Sequence, residues 1–174
     1  MLHKLAMAVI LASTTALTAL SAPAAASTRD ETMGAASSNA TYWVEENPPP
    51  PSSGALELAA ELREAMAPSA SGGGCRNTQG VGVCISWTNN QLKGDFYVNY
   101  WSGVTYRGTA RVYISVNGSH HYKYTVATDH TGRYPVATHN TGSGSSGYAY
   151  TIVDTFNQSG SVVGGGISPF QYWP

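Results

Sequence analysis

The chain has 174 residues, of which 42% are hydrophobic and 11% charged, with a formal net charge of −1 at pH 7. That length bounds the answer to one domain of ordinary size with appendages. The near-neutral total conceals two oppositely charged halves, and the mildly basic one falls far short of a nucleic-acid-binding patch.

Residues 1–26 read as a secretory signal peptide. His3 and Lys4 form a short positive start, Leu5 to Ala22 is uncharged, and Ala24-Ala25-Ala26 supplies a small-residue cleavage site, making Ser27 the expected first mature residue. Hydroxyl residues at Ser13-Thr14-Thr15, Thr18 and Ser21 break the run and argue against a membrane anchor. No later apolar run reaches spanning length, so the expectation is a secreted, extracellular protein without a membrane span.

Residues 27–74 form an acidic, Pro-rich arm. Seven acids (Asp30, Glu31, Glu45, Glu46, Glu57, Glu61, Glu64) against Arg29 and Arg63 leave it at net −5. Thr28 to Ala40 is small and polar and cannot bury enough surface to order itself, so most of the arm is expected to be disordered. Tyr42-Trp43-Val44-Glu45-Glu46 follows, and then Pro48 to Pro51 favour a stiff polyproline II segment. Tyr and Trp are frequent binding anchors. Two readings stand side by side: a linear motif lying in a partner's groove, or Trp43 tucked back onto this chain's own domain.

The spacing next predicts a short helix near 55–67, because Ala55, Leu58, Ala59, Leu62, Ala65 and Met66 share one face before Pro68. Glu57, Glu61 and Glu64 on its other side repel one another by a few tenths of a kcal/mol per pair. A helix of about a dozen residues is marginal alone in water. It should therefore fold when docked, with Leu58 and Leu62 buried against either the basic half of this chain or another protein. Ser69 to Gly74 reads as a flexible joint. An acidic pro-segment masking a basic domain would have the same pattern.

From Cys75 the character changes. Residues 75–174 carry six bases against Asp95, Asp129 and Asp154, for a net +3. Cys75 and Cys84, the two cysteines of an exported chain, are expected to pair as a disulfide closing a short turn, since no Cys-x-x-Cys spacing or nearby His suggests a metal. Alternating apolar residues predict strands over Val83 to Trp87, Asp95 to Trp101, Thr109 to Val116, His120 to Ala127, Tyr148 to Phe156 and Ser161 to Gly164. With no helical stretch among them, they predict an all-β fold, an antiparallel immunoglobulin-like β-sandwich, with a small barrel as the alternative. In the Asn117-Gly118 hairpin, a three-residue loop with Gly118 left-handed would place Val112 opposite Tyr122. The outer face would then show Arg111, Tyr113, Ser115, His121, Lys123 and Thr125.

Catalytic motifs are lacking. No G-x-S-x-G or H-E-x-x-H occurs, no glutamate follows Glu64 to make a glycosidase pair, and Gly142 to Gly147 matches G-x-G-x-x-G only as a loop between strands. His120, His121, His130 and His139 have no ligand spacing, so neither metal nor cofactor is expected. Asn39, Asn117 and Asn157 begin glycosylation sequons, two of which coincide with turn signals.

In its order of parts, with signal peptide, Tyr42-Trp43, a proline run, Gly74-Cys75, Val83-Cys84-Ile85 and a tyrosine-rich sandwich, the chain resembles small exported proteins of filamentous soil bacteria. Among these it is similar to the adaptor subunit of umbrella toxin particles, a likeness of layout over the mature chain. The resemblance implies a role joining a repeat-bearing toxin stalk to a lectin subunit, with the arm placed in a cleft of the lectin's degenerate protease-like domain. The expectation is thus a secreted, non-catalytic protein-binding module, not an enzyme, with Tyr42, Trp43, Glu45, Glu46, Leu58 and Leu62 facing its partner. A carbohydrate-binding module stacking sugars on Tyr97, Trp101, Tyr113 and Tyr122, and a peptidase inhibitor acting through the arm, are the alternatives.

Overall fold

The computed structural model describes residues 40–65, 72–101 and 107–174. The expected signal peptide, the polar stretch through Asn39, and Met66 to Ser71 at the helix end and joint lie outside these residues. In chain order the elements are β1 (Tyr42–Trp43), α1 (Ser53–Ala65), β2 (Gly74–Thr78), β3 (Val81–Thr88), β4 (Gln91–Val98) and β5 (Gly108–Val116). They continue with β6 (Ser119–Thr128), β7 (Gly132–Arg133), β8 (Ala137–Asn140), β9 (Gly147–Phe156), β10 (Val162–Ile167) and β11 (Gln171–Trp173).

All strand pairings described are antiparallel, and they make two sheets packed face to face, the expected β-sandwich and not a closed barrel. Sheet A runs β1-β6-β5-β9-β10, with β11 sharing the outer edge of β9. Sheet B runs β2-β3-β4-β7, with β8 pairing the first half of β4. Between them lie Val83, Ile85, Leu92, Phe96 and Val98 from sheet B and Ala110, Val112, Ile114, Tyr124, Val126 and Val153 from sheet A. These are the alternate residues of each strand, as a pleated backbone requires. Gly94 is needed where the sheets approach closely, because a Cβ there would stand 2.3 Å from Thr151 Oγ1.

Three hairpins turn on two residues with left-handed backbones: Gln79-Gly80 (φ 44°, 95°), Asn89-Asn90 (53°, 58°) and Asn117-Gly118 (50°, 87°). Paired positive φ values characterise the turn that matches the right-handed twist of strands, and Asn and Gly tolerate them best. The third corrects the sequence expectation of a three-residue loop. The tight turn sets Ile114 opposite His121 and Tyr113 opposite Tyr122, and a bulge at Lys123 then puts Val112 opposite Tyr124 and Ala110 opposite Val126. The extra residue restores the apolar face farther along the strand than the turn itself. As a result His121 and Lys123 lean toward His139 of sheet B, with Lys123 Nζ 3.3 Å from His139 Nδ1. The outer face instead carries His120 and Tyr122 alongside Arg111, Tyr113, Ser115 and Thr125.

Cys75 and Cys84 sit directly opposite each other on β2 and β3 and form the expected disulfide. The described residues from Ala40 to Pro174 fall in one compact unit, so the described arm belongs with the sandwich.

Candidate interaction site

The arm crosses the outer face of sheet A as a third layer. Trp43 pairs with Thr125 and Tyr42 with Val126, extending the sheet by a two-residue edge strand, and Ala127 N donates to Thr41 O at 3.3 Å. The chain then turns across the strands. Glu45 Oε1 accepts from Arg111 Nε at 2.9 Å and from Thr125 Oγ1 at 2.5 Å, while its backbone N–H donates to Tyr122 Oη at 3.1 Å. The Arg111 contact holds the Glu45 carboxyl below its usual range, against the opposing effect of burial. Arg111 is itself braced over the Phe156 ring, 4.5 Å from its centroid.

Farther on, the buried Tyr113 hydroxyl donates to Pro49 O at 2.9 Å, and burial pushes its pKa up to about 12. Pro51 is buried. Ser52 then joins sheet to helix: its N–H and hydroxyl donate to the two oxygens of Asp154 at 2.8 and 2.5 Å. Its own oxygens accept from Leu56 N at 3.1 Å and Ala55 N at 3.4 Å, which caps α1. A helix too short to stand alone is thus started from the sheet it packs on.

The face of α1 that meets the sheet is the expected one, with Ala55, Leu58, Ala59 and Leu62, and Leu56 joins it. Beneath lie Tyr113, Tyr150, Ile152, Ile167 and Phe170, so the central strand β9 is covered on both sides. Glu57, Glu61 and Glu64 point to solvent, and Arg63 lies over Tyr148 with its Cζ 5.0 Å from the ring centroid.

The expected partner-facing residues therefore divide. Glu45, Leu58 and Leu62 touch this chain's own sheet. Tyr42, Trp43 and Val44 are 58%, 42% and 69% exposed, and Glu46 is exposed beside them. These residues lie at an edge of sheet A, with β6 on one side of β1 and no strand described on the other. The aromatic residues considered for sugar stacking form no common exposed surface: Tyr113 is buried, Tyr122 lies against it under the arm, Trp101 packs on the sandwich core, and Tyr97 lies beside Arg133.

The sequence reading did not single out Asp154, Ser52 or Pro49 as docking residues. The signal available was slight: an acid in the apolar run Tyr148 to Phe156 marks a position where burial needs a partner. Elsewhere, His130 Nδ1 lies 2.6 Å from Asp129 Oδ1, and His130 Nε2 has no partner among the described residues. No group of three or more His, Cys, Asp or Glu among the described residues is placed to hold a metal, and no described helix is long and apolar enough to cross a membrane. No family model, curated protein or solved structure matches this chain.

Proposed function

We propose that this protein is a secreted, non-catalytic binding module, an adaptor in an extracellular assembly, and that its partner-facing element is the edge strand Tyr42-Trp43 with the adjoining Val44. One observation carries the reading. Most of the described arm is spent on its own sheet, yet three consecutive large apolar residues stay exposed beside a strand edge that no described strand pairs with. An exposed edge strand of this kind is a template for an extended segment of another chain, with main-chain hydrogen bonds giving affinity and the aromatic side chains giving specificity. The layout it shares with umbrella toxin adaptors supports an assembly in which a lectin and a toxin stalk are the two proteins joined.

The test is a comparison of mature wild type with a Tyr42→Ala/Trp43→Ala chain as tagged baits in culture medium, quantified by mass spectrometry. Loss of the specific partners by about tenfold or more is expected, as for anchor residues at an interface, while the melting transition stays cooperative. Recovery of the same proteins in the same yield refutes the assignment. Point substitution is the sharper test than deletion of 27–74, which would also strip the cover from Tyr113, Tyr150 and Phe170.

A further inference from the structure

A cleft of about 260 Å³ opens between α1 and the outer face of sheet A, away from the arm's edge strand. Its walls are the rings of Tyr148, Tyr150 and Phe170, and its mouth carries Arg63 and His120. Ring centroids of Tyr150 and Phe170 are 4.7 Å apart, those of Tyr148 and Phe170 5.8 Å. The floor and rim stay open because the neighbouring helix positions are Ala59 and Ala60 and the hairpin contributes Gly118.

The polar groups around this cleft have not been used by the fold. The Tyr150 and Tyr148 hydroxyls make no hydrogen bond among the described residues, and neither is closed off from the cleft. Among the described residues no carboxylate lies within ion-pair distance of Arg63, which rests on Tyr148 with its fork unpaired. A carboxylate bound in the cleft would give the Arg63 fork and these hydroxyls partners other than water.

We infer that this cleft binds a small carboxylate carried on a compact ring. Arg63 presents a planar pair of donors that fits one carboxylate, and the Tyr hydroxyls and His120 add hydrogen-bonding groups. One guanidinium without a second cation suits a monoanion better than a phosphate. The three aromatic walls give a single six-membered ring an apolar face to lie on, and the volume admits little more. Both a hexuronic sugar and an aromatic acid have this chemistry.

The experiment is an NMR titration of the full mature chain with sodium glucuronate and, separately, sodium benzoate, with glucose and benzyl alcohol as uncharged counterparts. Saturable shifts confined to Arg63, His120, Tyr148 and Tyr150 are expected with at least one acid, and which acid binds identifies the ring. Arg63→Gln should weaken that binding about tenfold or more, roughly the loss of one charge-assisted pair. Tyr150→Phe, which keeps the ring and removes only the hydroxyl, should weaken it about threefold to tenfold. The inference is overturned if neither acid saturates, if an uncharged counterpart binds as well as its acid, or if Arg63→Gln binds as tightly as wild type. Cooperative melting of both variants guards against loss of fold.

Discussion

Asp154→Ala tests whether the arm is bound to the sandwich in solution, and it does so by sign as well as size. Asp154 is 2% exposed and accepts both the N–H and the hydroxyl of Ser52, at 2.8 and 2.5 Å. Hydrogen bonds to a charged group contribute about 1.5 to 3 kcal/mol each, and two that share one carboxylate do not add fully. Removing the carboxylate also leaves Ser52 free to lose its geometry as the cap of α1, a contribution of about 1 kcal/mol. A loss of about 3 kcal/mol in arm docking follows, which is on the order of a hundredfold in the opening equilibrium.

Hydrogen exchange read by mass spectrometry on peptides covering 53–65 should show that drop in protection, while strands β3 and β4 of sheet B keep theirs. Ser52→Ala, which removes only the hydroxyl, should lose less, about 1 to 2 kcal/mol. Were the arm undocked in solution, Asp154 would already be hydrated and its removal would change stability by no more than about 0.5 kcal/mol in either direction. Unchanged protection over 53–65, or a stabilised variant, refutes the docked arm.

Acid should loosen the arm at its other anchor. Arg111 depresses the folded-state pKa of Glu45, so the stabilisation from this pair is complete above the ordinary carboxylate range and is lost as pH falls through the depressed value. The indole NMR signal of Trp43 should move toward its free-peptide position across that window, and in Glu45→Gln it should show no such acid transition. Replacing Cys75 and Cys84 together by Ser should cost about 2 to 3 kcal/mol for the short loop they close, read as a lower urea midpoint. An unchanged midpoint would mean that the β2–β3 hairpin already restricts the unfolded chain as much as the bridge does.

The sandwich was legible because its central strands alternate strongly: Val83, Ile85 and Phe96 on one sheet, and Val112, Ile114 and Val153 on the other, stand at period two. The edge elements β2 and β8 were missed, since Arg76-Asn77-Thr78 and Thr138-His139-Asn140 bring little apolar surface and take their conformation from a neighbouring strand, and β11, although Trp173 is buried in the core, is too short at three residues to show an alternation. The register of the β5–β6 hairpin was misplaced for a specific reason. Turn chemistry and face alternation conflicted over Asn117-Gly118, and the chain satisfies both by inserting Lys123 five residues past the turn instead of lengthening the turn. The helix face was readable from leucine spacing alone. What that face packs on was not, because the ties at Pro49, Ser52 and Asp154 join residues far apart in sequence and leave no local pattern.

The arm's division into anchored and exposed parts constrains how it can meet a partner. Withdrawing residues 45–65 into another protein's groove would break the Glu45–Arg111 pair, free Asp154 and uncover Tyr150, Ile152 and Phe170, so the partner would have to replace each of these. Burying the leucine face alone is worth on the order of 1.5 to 3 kcal/mol for each fully covered leucine. Adding a strand to Tyr42-Trp43 requires none of that loss: the backbone edge is already extended, and the ring of Tyr42 is steadied by Tyr124 at 5.6 Å. Order already present in the free protein lowers the entropic cost of association. The anchored arm therefore holds its own edge strand ready, and a variant with a weakened anchor, such as Asp154→Ala, should bind the same partner more weakly although it alters no contacting residue. Equal affinity of that variant would mean that the arm is taken up whole.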